Sequence, residues 1–431
     1  MKSKIRIGGS DHSKGSADNY AMNTKAAVGQ TASTIVPTTV FPILFAISIV
    51  HLLNDTMQST VSALFPILKA ELNLTYSQIG MIALAMNLTA SVLQPLIGRY
   101  ADIRPMPSIL PIGVCFTLAG VVSLALAPNY ATILLAVIAI GVGSAIFHPE
   151  SSRVAYLAAG SRRGLAQSIF QVGGNIGSSL GPIMTAVIFV HLGQFGVIWF
   201  AFAAFAAIAI QVYVARWYSD QRLLPRHTAK PRGSAGGKAS GLTQRQVLWA
   251  VIILVFLVIS KNVYMASITS YYTFYLINDY GVTVSHAQWF LFAFLAAAAA
   301  GTFLGGPMTD RFGRRNIIWF SILGTAPFSI LLPYANLFWT GVLAVLAGFI
   351  LSSAFSIIVV YAQELMPGKI GLVSGLFFGL AFGVGGLGSA LLGWIADATD
   401  IAFIMKVCAF LPLLGILAVL LPKDERLREQ Q

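Results

Sequence analysis

Only 10% of the 431 residues are charged and 57% are apolar, against about 25% charged in an ordinary soluble domain, and the mean hydropathy is +0.78. Such a chain in water would expose more apolar surface than its charges could solubilise, which excludes a soluble globular protein and makes lipid the solvent for most of it. The formal net charge of +12 raises nucleic-acid binding as one explanation, to be weighed against where the basic residues fall.

Residues 1–38 are rich in Ser, Gly, Thr and Lys with no apolar run, which predicts a disordered tail and not a cleaved signal. Twelve apolar runs follow, at about 40–68, 77–98, 107–127, 131–152, 164–191, 196–217, 246–276, 287–308, 316–334, 338–362, 370–395 and 401–421. Each is long enough to cross roughly 30 Å of hydrocarbon as a helix, and too long for barrel strands of about ten alternating residues. Between 218 and 244, Pro225, Pro231, Gly233, Gly236 and Gly237 stand among basic residues and mark a flexible linker. The expected organisation is a cytoplasmic tail (1–38), a six-helix half (39–217), a cytoplasmic linker (218–244), a second six-helix half (245–422) and a short tail (423–431). A shift of 208 positions lays Thr75 on Thr283, Ser77 on Ser285, Gly98 on Gly306 and Asp102 on Asp310, so the halves read as repeats.

Of the 27 Lys and Arg, 24 fall in the two termini and the even-numbered loops, with only Lys69, Lys261 and Lys406 elsewhere. Cytoplasmic loops hold basic residues in excess. The charge therefore reports orientation, both termini cytoplasmic, and gives no support to nucleic acid as a partner. Cys115 and Cys408 both sit in apolar runs without metal-ligand spacing, and neither a metal nor a cofactor is expected.

After the eighth run the chain reads Gly306-Pro-Met-Thr-Asp310-Arg311-Phe-Gly313-Arg314-Arg315, and the first-half copy is Gly98-Arg-Tyr-Ala-Asp102-Ile-Arg104. The pair resembles the loop motif of the major facilitator superfamily, although the first copy lacks the later Gly and arginine pair. Small residues there permit close helix contact, and the arginines hold the loop on the anionic leaflet. Asp102, Asp310, Arg311 and Arg314 are candidate gating residues, with a plain positive-inside loop as the alternative for the arginines. In the fifth run Gly173, Gly177, Gly181 and Pro182 resemble the antiporter motif of drug exporters, a spacing that also serves generic helix packing.

Four further stretches, His51-Leu-Leu-Asn54-Asp55, Phe147-His148-Pro149-Glu150-Ser-Ser-Arg153, Gly164-Leu-Ala-Gln167-Ser-Ile-Phe-Gln171-Val-Gly-Gly-Asn175 and Tyr361-Ala-Gln363-Glu364-Leu-Met-Pro367, are similar to those of the bacterial fosmidomycin-resistance efflux transporters. That resemblance spans essentially 40–422. It implies an all-α integral membrane protein of twelve transmembrane helices in two pseudo-symmetric halves. It also implies proton-driven export from the inner membrane of fosmidomycin, a small phosphonate that also carries a hydroxamate. Composition and periodicity alone reach only a polytopic protein of two halves. It is expected to work as a monomer in the bilayer. A proton-coupled importer of a small anionic metabolite uses the same fold, and an integral-membrane enzyme is disfavoured because no metal cluster, nucleophile elbow or P-loop occurs.

Ionisable groups deep in lipid are costly, so each is a functional candidate. His51, Asp55 and Gln58 share one helix face, roughly 17 to 22 Å along the first run for His51 and Asp55, near the bilayer centre. Asp55 is the expected proton carrier with His51 beside it, because the protonation of a buried carboxylate responds to a nearby cation. Lys261, which the 208 shift places opposite Leu53, is the candidate cation, with a permanent structural ion pair as the alternative. Expected substrate contacts are Lys261, His148, Arg153, Asn54, Gln58, the amide stripe Gln167, Gln171 and Asn175, and Tyr264 and Tyr271. Amides in such a stripe equally serve to bind helices to one another. Glu150, and Glu364 at the cytoplasmic end of the tenth run, are expected in gating.

Overall fold

The computed structural model describes residues 38–104, 106–160, 163–223, 243–366 and 370–422, and every regular element among them is helical. The first half holds α1 (Phe41–Ala63), α2 (Phe65–Leu72), α3 (Tyr76–Ile103), α4 (Ile109–Ala125), α5 (Tyr130–Ala158), α6 (Arg163–Met184), a π-helical turn (Thr185–Phe189), α7 (Val190–Leu192) and α8 (Phe200–Leu223). The second holds α9 (Gln244–Tyr280), α10 (Val284–Phe312), α11 (Arg314–Leu323), α12 (Ala326–Leu331), α13 (Leu337–Ser352), α14 (Phe355–Leu365), α15 (Ile370–Ala398), α16 (Ile401–Cys408) and a closing 3-10 stretch (Leu411–Leu420). Eleven described stretches are long and apolar enough to cross a membrane, and α4 is a shorter twelfth. Large apolar side chains such as Phe202, Phe338 and Trp394 are more than 60% exposed on the outside of the bundle, where hydrocarbon accepts them and water would not.

Several single runs of sequence are divided helices, and proline is the cause. Pro66 has no N–H to give the Ser62 carbonyl, so the first run breaks at Leu64 into α1 and α2. Pro412 likewise ends regular α-helix in the last run. In α6 Pro182 leaves the Ser178 carbonyl without its usual donor, and the helix loosens three residues later into the π turn.

The repeat read from the sequence is physical. Thr75 opens α3, its hydroxyl accepting from Gln78 N–H while the Gln78 side chain accepts from Thr75 N–H; Thr283 opens α10 by accepting from His286 N–H. These caps satisfy donors that a helix start leaves free. Gly313, with φ of 80°, makes the break between α10 and α11 in a backbone conformation that favours glycine. The expected N-terminal tail up to residue 37, most of the expected linker and the expected tail 423–431 lie outside the described residues.

Within the first half, α6 lies directly on α1. A Cβ at Gly173, Gly177 or Gly181 would collide with Ser48 O, Leu52 O or Ser59 Oγ of α1, so the glycine stripe brings two backbones into contact inside one half. Ser48 Oγ also donates to Ile169 O at 2.7 Å. Since the obstacle at Gly177 is backbone, a side chain there cannot be relieved by a rotamer change. Gly177→Val should therefore lower the stability of the purified protein by at least about 1–3 kcal/mol, read as a lower thermal unfolding temperature in detergent; an unchanged temperature would contradict this packing.

Candidate functional site

His51 and Asp55 stand one turn apart on α1, facing α5 and α6. His51 Nε2 lies 3.3 Å from Asp55 Oδ2, and His148 Nε2, reaching over from α5, lies 3.5 Å from Asp55 Oδ1. His51 is almost fully buried, stacked on Phe170 with ring centroids 4.1 Å apart and edged by Phe147. His148 has Phe147 on one side and Phe382, from the second half, on another. Two imidazoles and a carboxylate thus meet inside an aromatic wall to which both halves contribute.

The hydrogen bonds fix what the cluster holds. His51 Nδ1 lies 2.7 Å from the Phe170 carbonyl, and a carbonyl only accepts, so Nδ1 carries the hydrogen. Neutral His51 then turns the lone pair of Nε2 toward a carboxylate oxygen, and the contact is a hydrogen bond only if a further proton sits on the imidazole or on Asp55. His148 is more adaptable: its Nδ1 lies 3.0 Å from Ser144 O and 3.1 Å from Ser144 Oγ, so it can donate to one or accept from the other. One nitrogen of each imidazole and one Asp55 oxygen lie within 4.8 Å of one another, close enough to share one small cation.

Two neighbours hold Asp55 in place. Asn54 is fully buried and donates to Asp55 Oδ1 at 3.1 Å, while its own Oδ1 accepts from Thr117 on α4 at 3.5 Å. Asn54, expected as a substrate contact, is here enclosed and engaged with Asp55, where it positions the carboxylate. Gly174 is the second. A Cβ there would run into the His51 ring and come within 2.9 Å of Asp55 Oδ2, so a bare backbone is what lets α6 close over the pair.

The other expected residues separate into groups. Gln58 follows Asp55 by three positions, half-buried, its Nε2 enclosed without a partner among the described residues. Gln171 and Asn175 are half-buried on the side of α6 turned away from its glycine stripe. Glu150 is fully buried with Arg153 Nε 3.4 Å from its Oε1, and Arg153 also reaches Gly98 O at 3.5 Å, tying α5 to the first loop motif. Lys261 is buried in α9, and the imidazoles of His51 and His148 stand directly against Asp55. Tyr264 is buried with its hydroxyl unpartnered among the described residues. Tyr271 is fully buried, and its hydroxyl is occupied by Ser389 O where α15 meets α3. Arg314 is half-buried at the α11 start. The side chains of Asp102, Gln167, Asp310, Arg311 and Glu364 lie outside the described residues.

Comparison with known proteins agrees with this architecture. The family profile described as Major Facilitator Superfamily matches residues 47–282 and 262–431. The chain is 56% identical over 396 residues to the Fosmidomycin resistance protein of Escherichia coli, covering 92% of this chain and 96% of that one. It is 49% identical over 394 residues to YfnC of Bacillus subtilis, described as an uncharacterized MFS-type transporter, covering 91% and 95%. Among solved structures, the nucleoside transporter NupG superposes with a TM-score of 0.66 at 14% identity, covering 88% of this chain and 98% of that one. An inward-facing, occupied bacterial homologue of the human lysosomal transporter Spinster superposes with a TM-score of 0.65 at 17% identity, covering 88% and 94%. The last two bear on fold alone.

The dependence of the site on Gly174 is open to direct test. Gly174→Ala should separate His51 from Asp55 and lower transport at least about tenfold, against a stability loss of only about 1–3 kcal/mol. Full transport activity in a folded Gly174→Ala protein would show that the cluster needs no such geometry.

Proposed function

Because this chain belongs to the major facilitator superfamily, we propose that it exports fosmidomycin from the bacterial cytoplasm in exchange for protons, as a monomer in the inner membrane with both termini cytoplasmic. The superfamily and the two-half helical bundle make it a multi-pass transporter and not an enzyme. The substrate reading rests on the 56% identity to the Fosmidomycin resistance protein, and the orientation on the basic loops.

One observation carries the proton coupling. His51 Nδ1 is committed to the Phe170 carbonyl, so the short Nε2 to Asp55 contact needs an added proton. The cluster is therefore a proton store, mid-membrane on α1, closed in part by Phe382 of the other half. When the halves open outward, Asp55 and His51 take up a proton from the outer side. When they open inward, the stored proton leaves to the cytosol, and a phosphonate anion from the cytosol approaches the same region, where the imidazole N–H groups and the ammonium of Lys261 pair with it. Arg153, with Glu150 as its counter-ion, stands further along α5 toward the cytoplasm, where it helps gather an anion. Gln58, Tyr264 and the amides of α6 supply neutral donors that orient a small polar substrate in an otherwise apolar wall. Exchange follows because each ligand favours a different arrangement of the halves.

Purified protein in liposomes tests this. An inwardly imposed proton gradient should drive fosmidomycin movement against the proton flow, and Asp55→Asn should reduce gradient-driven movement at least about a hundredfold while the protein remains folded. Gradient-driven transport by Asp55→Asn at the normal rate would overturn the proton assignment. In cells, loss of the gene should sensitise to the drug; protection would instead identify an importer.

A further inference from the structure

One end of the bundle, the end away from residues 38 and 422, is closed by hydrogen bonds that cross from one half to the other, most of them to backbone groups where regular α-helix begins or breaks. At the start of α3, Thr75 is the N-cap, its hydroxyl oxygen accepting from Gln78 N–H. The two preceding donors, Tyr76 N–H and Ser77 N–H, are taken by the carboxylate of Asp397 at 2.8 and 2.7 Å, and Ser77 Oγ–H donates to the same carboxylate. Asp397 belongs to the last turn of α15, in the second half. Elsewhere at this end, Gln288 Nε2 donates to Ala63 O at the broken end of α1, at 2.7 Å, and Ser285 Oγ donates to Ala186 O of the π turn at 3.2 Å. Asn278 Nδ2 donates to Tyr76 Oη at 3.0 Å.

The backbones behind Asp397 are in contact. A Cβ at Gly80 would lie 2.5 Å from Ser389 O and 2.8 Å from Ala390 Cα, and one at Gly393 would collide with Tyr76 O. The carboxylate therefore sits on a tight α3 and α15 seam, where glycines bring the two backbones together around the Tyr271 hydroxyl.

The 208 shift shows what is particular about it. Ser77 and Ser285 correspond, and each reaches across to the opposite half, so α3 on α15 and α10 on α6 are pseudo-symmetric contacts. The position matching Asp397 is Phe189. The first contact is made by a charge and the second only by a hydroxyl and a carbonyl.

We propose that Asp397 is the latch of this gate: its carboxylate holds the halves together by capping the N-terminus of α3 from the other half, and it lets go each time this end opens. A carboxylate at a helix N-terminus combines the capping bonds with the favourable field of aligned peptide dipoles. Asp397 is exposed at the bundle end, so when the halves part both it and the freed N–H groups pass to water. Opening is thus made costly without being blocked, as a gate that cycles requires. Asp397 is a positioning residue: it biases the halves without touching the transported molecule. The inference deepens the transport reading and rests on its moving halves, independently of substrate and proton.

The test reads the gate itself. Full-length protein in nanodiscs, without drug or gradient, is spin-labelled at Pro128 and His286, exposed residues at this end of the first and second halves. Wild type should show mainly the short distance. Asp397→Ala should raise the ratio of long to short distances about tenfold, the scale of losing a strong helix cap, and Asp397→Asn, which keeps an acceptor but not the charge, by less. Ser77→Ala keeps both backbone donors and should raise it about twofold, which decides the matter should Asp397→Ala fail to fold. Unchanged distance distributions in the folded variants would overturn the latch. A shifted gate with no fosmidomycin transport would leave the latch standing and reject the substrate reading.

Discussion

The site depends on one contact, the meeting of α1 and α6 through a face with no side chains. Gly173, Gly177 and Gly181 bring the backbone of α6 onto carbonyls and side-chain oxygens of α1, and Gly174, beside them, leaves the volume in which His51 and Asp55 meet. At this separation the Phe170 carbonyl comes within 2.7 Å of His51 Nδ1. Were the helices held a methyl group further apart, the imidazole would lose that bond and its tautomer would be free. The glycine stripe thus does more than pack a membrane helix: it decides which nitrogen of His51 faces Asp55. Dispersion and close backbone approach supply the contact energy, since lipid gives two apolar helices no hydrophobic reason to associate.

The second governing constraint is that hydrocarbon satisfies no polar group. Around Asp55 that constraint produces a small relay of supports, with Thr117 holding Asn54, Asn54 holding Asp55, and backbone carbonyls holding both imidazoles. A carboxylate so placed is defined in position, with an amide on one oxygen and an imidazole facing each. At the bundle end the same constraint works through helix irregularities. The start of α3, the break after Ala63 and the π turn after Pro182 each leave backbone groups seeking partners, and the opposite half provides them. The contacts between the halves at this end gather where regular helix stops.

The two halves share a plan and differ in detail, and the differences are where the chemistry lies. Among the described residues, the cluster of His51, Asp55 and His148 lies between α1, α5 and α6 of the first half, with Phe382 reaching in from the second. The matching depth of α9 carries Lys261, Tyr264 and Tyr271, all buried. Pseudo-symmetry makes rocking of one half on the other natural, and asymmetry allows each half a separate task in it.

The sequence by itself determined the class of solvent, the number of crossings, the division into halves, the repeat and its phase, and Asp55 with His51 as a pair. These follow from local quantities: apolar run length, proline and basic-residue placement, and the 3.6-residue period that sets residues 51 and 55 on one face. Only the tertiary structure decided that His148, from another helix and 93 positions further along, completes the cluster, and that Asn54 is turned to Asp55. The same is true of the glycine stripe, whose spacing marks a close contact without naming the partner helix, and of Asp397, an unremarked acid at a helix end until α3 is brought beside it. Pattern along a chain reports which face a residue occupies; which groups share a hydrogen bond depends on how separate helices dock, and that is settled by packing between residues far apart in sequence.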